Sequence, residues 1–233
     1  MADAPLISCL MPVYNGERYL AAALDSIVSQ SRPCDEIIVV NDGSTDSTST
    51  ILDSHGESIR SIAQANAGAS SALNTGIRNC STEYITFCDS DDLLTHDAIS
   101  VRLAVLEDDP SLDAVFGTCE QFVSAEVPAE IARRFRFVPQ PETSLLAPTM
   151  IARREVFDRF GLFDETKRAG GFIDWMSRAR ATGLRFTTVD SVVLRRRIHE
   201  TNMSRETGRD GNRDLLAVVR DHHRRRSPRP DDA

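Results

Sequence analysis

A chain of 233 residues, 41% hydrophobic and 27% charged, has an ordinary globular composition and enough length for one sizeable core. Its net charge of −8 argues against a nucleic-acid partner, which needs a basic face. No apolar run reaches the ~18 residues of a membrane span, so no transmembrane segment is expected. "MADAPLISCLMP" lacks the basic start and apolar centre of a signal peptide.

In chain order, "LISCLMP" (6–12) has the pattern of a buried strand. "GERYLAAALDSIVSQ" (16–30) spaces its apolar residues for a helix, with Pro33 just beyond its end. "EIIVVND" (36–42) is a second strand, continuous in Ile and Val. Ser44, Thr45 and Asp46 are suited to capping a second helix. "SIRSIAQ" is a weak third strand, "GASSALNTGIRN" a third helix and "EYITFC" a fourth strand. "HDAISVRLAVLEDD" is a fourth helix and "LDAVFGT" a fifth strand. This alternation predicts an α/β fold with a doubly wound, mostly parallel sheet flanked by helices.

Beyond residue 117 the pattern loosens. Four prolines between 124 and 148 mark irregular segments around one short helix. "PTMIARREVFDRFG" then suggests a strand and a helix, "GGFIDWMSRARATG" a helix ended by Gly183, and "RFTTVDSVVLRRRIH" a β segment. The five cysteines are scattered without a C-x-x-C spacing and read as reduced, mostly buried thiols of a cytoplasmic protein.

In an open α/β sheet, ligands bind outside the carboxyl ends of the strands. The four strand ends here carry Tyr14, Asn15 and Glu17; Asn41, Asp42 and Asp46; Asn66 and Gly68; and Asp89, Ser90, Asp91 and Asp92. "NDGSTD" alone is equally a turn with a helix cap, although Asp42 can accept from a base N–H and Gly43 permits a close backbone approach. "CDSDD" alone is either an acidic cap, with Asp92 or Thr95 serving, or a pair of carboxylates for one hard divalent cation.

Taken together, "ISCLMPVYNGERYLAAALDSIVSQ", "DEIIVVNDGSTDST", "NAGASSALNTGI", "EYITFCDSDDLL", "MIARREVFDRFGLFDE" and "LRRRIHETNMS" resemble the family 2 glycosyltransferases of the GT-A fold, over about residues 6–204. The resemblance implies one GT-A domain over 1–220. A nucleotide-binding half would cover 1–117 and an acceptor-binding half 118–220, followed by a flexible charged tail at 221–233. It implies a nucleotide-diphosphate sugar donor, most often a UDP-sugar, with Mn2+ or Mg2+. Pro12, Tyr14 and Glu17 would surround the base and ribose, and Asp42 would accept from the pyrimidine N3–H. Asn66 and Gly68 would border the nucleotide. Asp89 and Asp91, with Ser90 between them, would form the Asp-X-Asp pair facing the ribose and the metal. His199 would complete the metal or diphosphate site.

Two positions depart from the family pattern. Leu73 stands where an arginine is frequent. Phe172 stands at the usual general-base position, with Gly171 as its partner. The nearest carboxylate is Asp174, which doubles as a possible helix cap, and Asp164 and Glu165 are the runners-up. Trp175 beside it could stack on a sugar or fill the core. The acceptor is open between a saccharide, a natural product and a peptide. A catalytically impaired nucleotide-sugar-binding module is the rival reading. A P-loop phosphotransferase is excluded, since G-x-x-x-x-G-K-[ST] is missing.

Overall fold

The computed structural model describes residues 6–133, 140–167 and 170–200. The tail expected at 221–233, and "TNMS" at 201–204, lie outside the described residues. The elements are β1 (Ile7–Val13), α1 (Leu20–Val28), β2 (Glu36–Asn41), α2 (Thr48–Ser54), β3 (Arg60–Ala63), α3 (Ala69–Asn79), β4 (Tyr84–Phe87), β5 (Leu93–Leu94) and α4 (Ala98–Asp108). After these come β6 (Ala114–Val123), α5 (Ala129–Ala132), β7 (Glu142–Thr143), β8 (Met150–Arg153), α6 (Val156–Phe160), α7 (Gly171–Ala181) and β9 (Phe186–Ile198).

The strands form one sheet in the order β3-β2-β1-β4-β8-β6-β9-β5, with β7 added to β6. β3, β2, β1 and β4 run parallel, as does the long β6–β9 pair, while β8 is antiparallel to both of its neighbours. The reason is visible in the side chains. β1 and β2 are buried on both faces, as the Ile/Val runs require. α1 buries Leu20, Ala23, Leu24 and Ile27, a single helical face, against the sheet. Each of its large aliphatic side chains contributes ~1.5–3 kcal/mol by burial.

β3 reads weakly in the sequence because it is the edge strand, and three of its four side chains are exposed. β6 runs past residue 117 to Val123, so the 117/118 division falls inside one strand. Beyond a register shift at Thr118, its outer half pairs with Val192–Ile198 of β9 and is only half-buried, which blurs the apolar pattern. α2 begins at Thr48, with Ser47 at the cap position, later than Ser44, Thr45 or Asp46 would set it. Asp46 still serves that end, because its Oδ1 accepts from Thr48 N at 3.0 Å.

Behind α7 an aromatic cluster joins Phe116, Phe157, Phe163, Phe172 and Trp175. Trp175 is fully buried and its Nε1 donates to Gly161 O at 2.7 Å, so it is core.

Candidate active site

The parallel register brings the first four strand ends to one edge. Asp42 N donates to Val13 O, and Gln64 N donates to Asn41 O. Cys88 N donates to Leu10 O. Pro12, Tyr14, Glu17, Asp42, Asn66, Gly68, Asp89, Ser90 and Asp91 therefore all lie on or just past the carboxyl edge of β1 to β4. Tyr14 is exposed at 53%. Glu17 is tied down, its N donating to Asp46 Oδ2 and its Oε2 accepting from Ser47 N.

Asp42 is buried, and its carboxylate organises the loop after β3. Oδ1 accepts from Gln64 Nε2 at 2.8 Å and Ala67 N at 2.9 Å, and Oδ2 accepts from Gly68 N at 2.8 Å. Gln64 was not singled out by sequence reasoning. It is held in turn by Thr75, whose Oγ1 donates to Gln64 Oε1. Gly43 has φ +75, and a Cβ there would come within 2.9 Å of Asn66 N. The close approach that Gly43 permits is thus to the protein's own backbone.

At the end of β4, Asp89, Asp91 and Asp92 each place a carboxylate oxygen within 4.8 Å of the others. Asp92 is not a helix cap. Its Oδ1 accepts from the backbone N of Arg197 at 2.8 Å, and α4 begins after Asp97 instead. Thr95 is not a cap either, since its Oγ1 donates to Val192 O. The signal for Asp92 was in the sequence, where three acids exceed what one cap needs.

His199 comes from the far end of β9, and its Nε2 lies 3.0 Å from Asp91 Oδ2. Asp89 is exposed, yet the protein crowded about its carboxylate, and then Asp91, push it up to about 7. Burial, then Asp91 and Asp89, push Asp92 well above the ordinary carboxylate range. Crowded oxygen donors of this kind fit a hard divalent cation, whose charge would offset their repulsion.

The two carboxylates named for proton removal have other occupations. Asp174 is in the first turn of α7, only 3% exposed, and its Oδ2 accepts from Arg178 Nε at 2.9 Å. It caps nothing. Gly170 holds the cap position of α7. Asp164 is half-buried on a turn, where Thr166 N and Oγ1 donate to it and Lys167 Nζ lies 3.7 Å away. Those contacts, Thr166 first, hold it below the usual range. Phe172 packs on Trp175 and Phe116, and Gly171 abuts α3 so closely that a Cβ would lie 2.3 Å from Ser70 Oγ. A side chain at 171 would require Ser70 Oγ to turn away.

The family model for glycosyl transferase family 2 matches residues 8–161, the span from β1 through α6. The chain belongs to glycosyl transferase family 2. An uncharacterised glycosyltransferase of Rickettsia typhi is 30% identical over 214 residues, which are 84% of this chain and 65% of that protein. This family 2 chain therefore spans less than two-thirds of that relative's length.

Among solved structures, Staphylococcus aureus TarS 1–349 in complex with UDP-GlcNAc superposes with TM-score 0.71 at 21% identity. It covers 92% of this chain and 65% of that one. The mannosyltransferase PcManGT from Pyrobaculum calidifontis, in complex with GDP-Man and Mn2+, superposes with TM-score 0.70 at 21% identity, covering 98% and 67%. The sheet is that of the GT-A fold. No helix among the described residues is long and apolar enough to cross a membrane.

Proposed function

We propose that this family 2 chain carries a metal-dependent glycosyltransferase that moves one sugar from a UDP-sugar to an acceptor with inversion. One observation carries the reading: Asp89, Asp91 and Asp92 converge at the carboxyl edge of the sheet, with His199 against Asp91. Asp89, Asp91 and His199 would hold Mn2+ or Mg2+, which when bound would offset the charge that develops on the leaving diphosphate. The solved structures that hold UDP-GlcNAc and GDP-Man with Mn2+ support a nucleotide-sugar donor by likeness of fold.

The protein's own residues have distinct tasks in this reading. Tyr14, exposed at the edge, offers a ring face to the base, with Pro12 and Glu17 beside it. Asp42 has about four acceptor directions and spends three on Gln64, Ala67 and Gly68, which leaves one for a base N–H. Asn66 and Gly68 border the nucleotide. The acceptor hydroxyl must lose a proton to a carboxylate within hydrogen-bond reach. To serve, Asp174 would have to leave Arg178, whereas Asp164 would have to give up Thr166 and Lys167. The acceptor is a saccharide, a natural product or a peptide.

A second reading, a nucleotide-sugar-binding module without turnover, is favoured by one observation. Phe172 is packed into the aromatic cluster at the place where the base usually stands.

A thermal-shift screen of UDP- and GDP-sugars, with and without Mn2+, tests donor and metal together. The transferase reading expects stabilisation by a UDP-sugar that depends on Mn2+ and slow release of free sugar. Binding with no hydrolysis and no transfer over a broad acceptor panel favours the module. No stabilisation by any nucleotide sugar overturns both.

A further inference from the structure

Around His199 lies a set of linked side chains from distant parts of the chain. The Tyr19 ring lies against the His199 ring, with centroids 4.6 Å apart and a tilt of 41°. The Tyr19 hydroxyl donates to the Glu126 carboxylate, which also accepts from Ser124 Oγ at 2.7 Å. Arg197 closes the circuit. Its guanidinium sits 4.7 Å from the Tyr19 ring centre, its Nη1 donates to Ser124 Oγ, and its Nε donates to Asp91 O at 2.9 Å. Four segments distant in sequence are thereby joined: the start of α1, the turn after β6, the acidic loop and the end of β9.

The geometry limits what His199 can do. Its Nε2 is 3.0 Å from Asp91 Oδ2, so the ring's tilt decides where that nitrogen points. One face of the ring rests on Tyr19. The tilt of Tyr19 is set by its hydroxyl on Glu126, and the position of Glu126 by Ser124 and by Arg18, whose Nε is 3.3 Å away. An imidazole that binds a cation needs a partner to fix its orientation. The Tyr19 ring, itself held by a hydrogen bond, adds an aromatic face to that orientation.

We propose that Tyr19 is a positioning residue, which holds the His199 imidazole on Asp91 and so sets the affinity of the acidic loop for a divalent cation. This rests on the reading of Asp91 and His199 as cation holders. Glu126 acts through Tyr19, and Arg197 fixes the backbone on which Asp91 and Asp92 stand.

The test is Mn2+ binding to the full chain without nucleotide, read from the electron paramagnetic resonance signal of free Mn2+. Wild type should bind, and Asp91→Asn should not. Tyr19→Leu, which keeps apolar bulk, should weaken binding by ~10–100-fold in a chain that still unfolds in one cooperative transition. Tyr19→Phe, which keeps the ring but gives up the hydroxyl on Glu126, should fall between wild type and Tyr19→Leu, with a several-fold loss. Should Tyr19→Leu fail to fold, Glu126→Gln is read in its place, with a several-fold loss expected. Wild-type affinity in Tyr19→Leu, or in Glu126→Gln when that variant is read, with binding lost in Asp91→Asn, overturns the role of Tyr19 alone. No Mn2+ binding by wild type overturns the cation reading and this inference with it.

Discussion

Asp174 and Arg178 form an ion pair one turn apart on α7, Oδ2 to Nε at 2.9 Å, and the same guanidinium donates to Phe160 O and Leu162 O. The pair binds α7 to the last residue of α6 and the segment that follows it. Asp174→Asn should therefore lower stability by about 1–3 kcal/mol, the worth of a hydrogen bond to a charged group. Chemical denaturation of the variant measures this. Turnover per folded molecule separates the roles. A value near wild type makes Asp174 structural. A loss beyond ~100-fold in a stably folded variant would make it the base.

Asp42→Asn should act on a loop that it does not belong to. The amide keeps one acceptor and turns the other oxygen into a donor, which then opposes Ala67 N or Gly68 N. We expect a cost of about 1–3 kcal/mol and weaker UDP binding by calorimetry. Unchanged stability would show that the 64–68 loop holds itself in place.

Arg102 is fully buried in α4. Its Nε donates to Ala98 O and its Nη1 to Pro148 O, while Nη2 has no hydrogen-bond partner among the described residues. Burial pushes the guanidinium down to about 10. An unpaired buried charge is costly, so Arg102→Met should leave stability unchanged or raise it by about 1–2 kcal/mol. A thermal melt decides. A marked fall would show that the charge is needed where it lies.

Glu126 gives a pH signature. The Tyr19 hydroxyl, and next Ser124, pull its carboxyl from 4.5 down to about 2. A carboxylate depressed in the fold contributes stability that is fully present above its unfolded value and is lost as pH falls through its folded value. The melting temperatures of wild type and Glu126→Gln should thus differ by a constant amount above about pH 5. The gap should close as the pH approaches 2. A gap independent of pH would show that its charge contributes nothing.

The strand ends could be read in the sequence because each needs small hydrogen-bonding residues where a generic surface would carry lysine and glutamate. Asp89 lies close to Asp91, and His199 reaches Asp91 although 108 positions separate the two. What could not be read were contacts that only packing decides. The partner of Asp174 is a helical neighbour whose basic side chain could equally have faced solvent. The role of Asp92 depends on the backbone of Arg197, for which a sequence has no letter. Gln64 and Tyr19 resemble ordinary polar and apolar positions until their neighbours are known.

The course of β6 has an evolutionary consequence. That strand pairs with β8 before the bulge and with β9 on both sides of it, so the two halves of the sheet share one hydrogen-bonded spine. A recombination event that joined the segment before β6 of one ancestor to the segment after it of another would have had to keep the ladder intact through Val123.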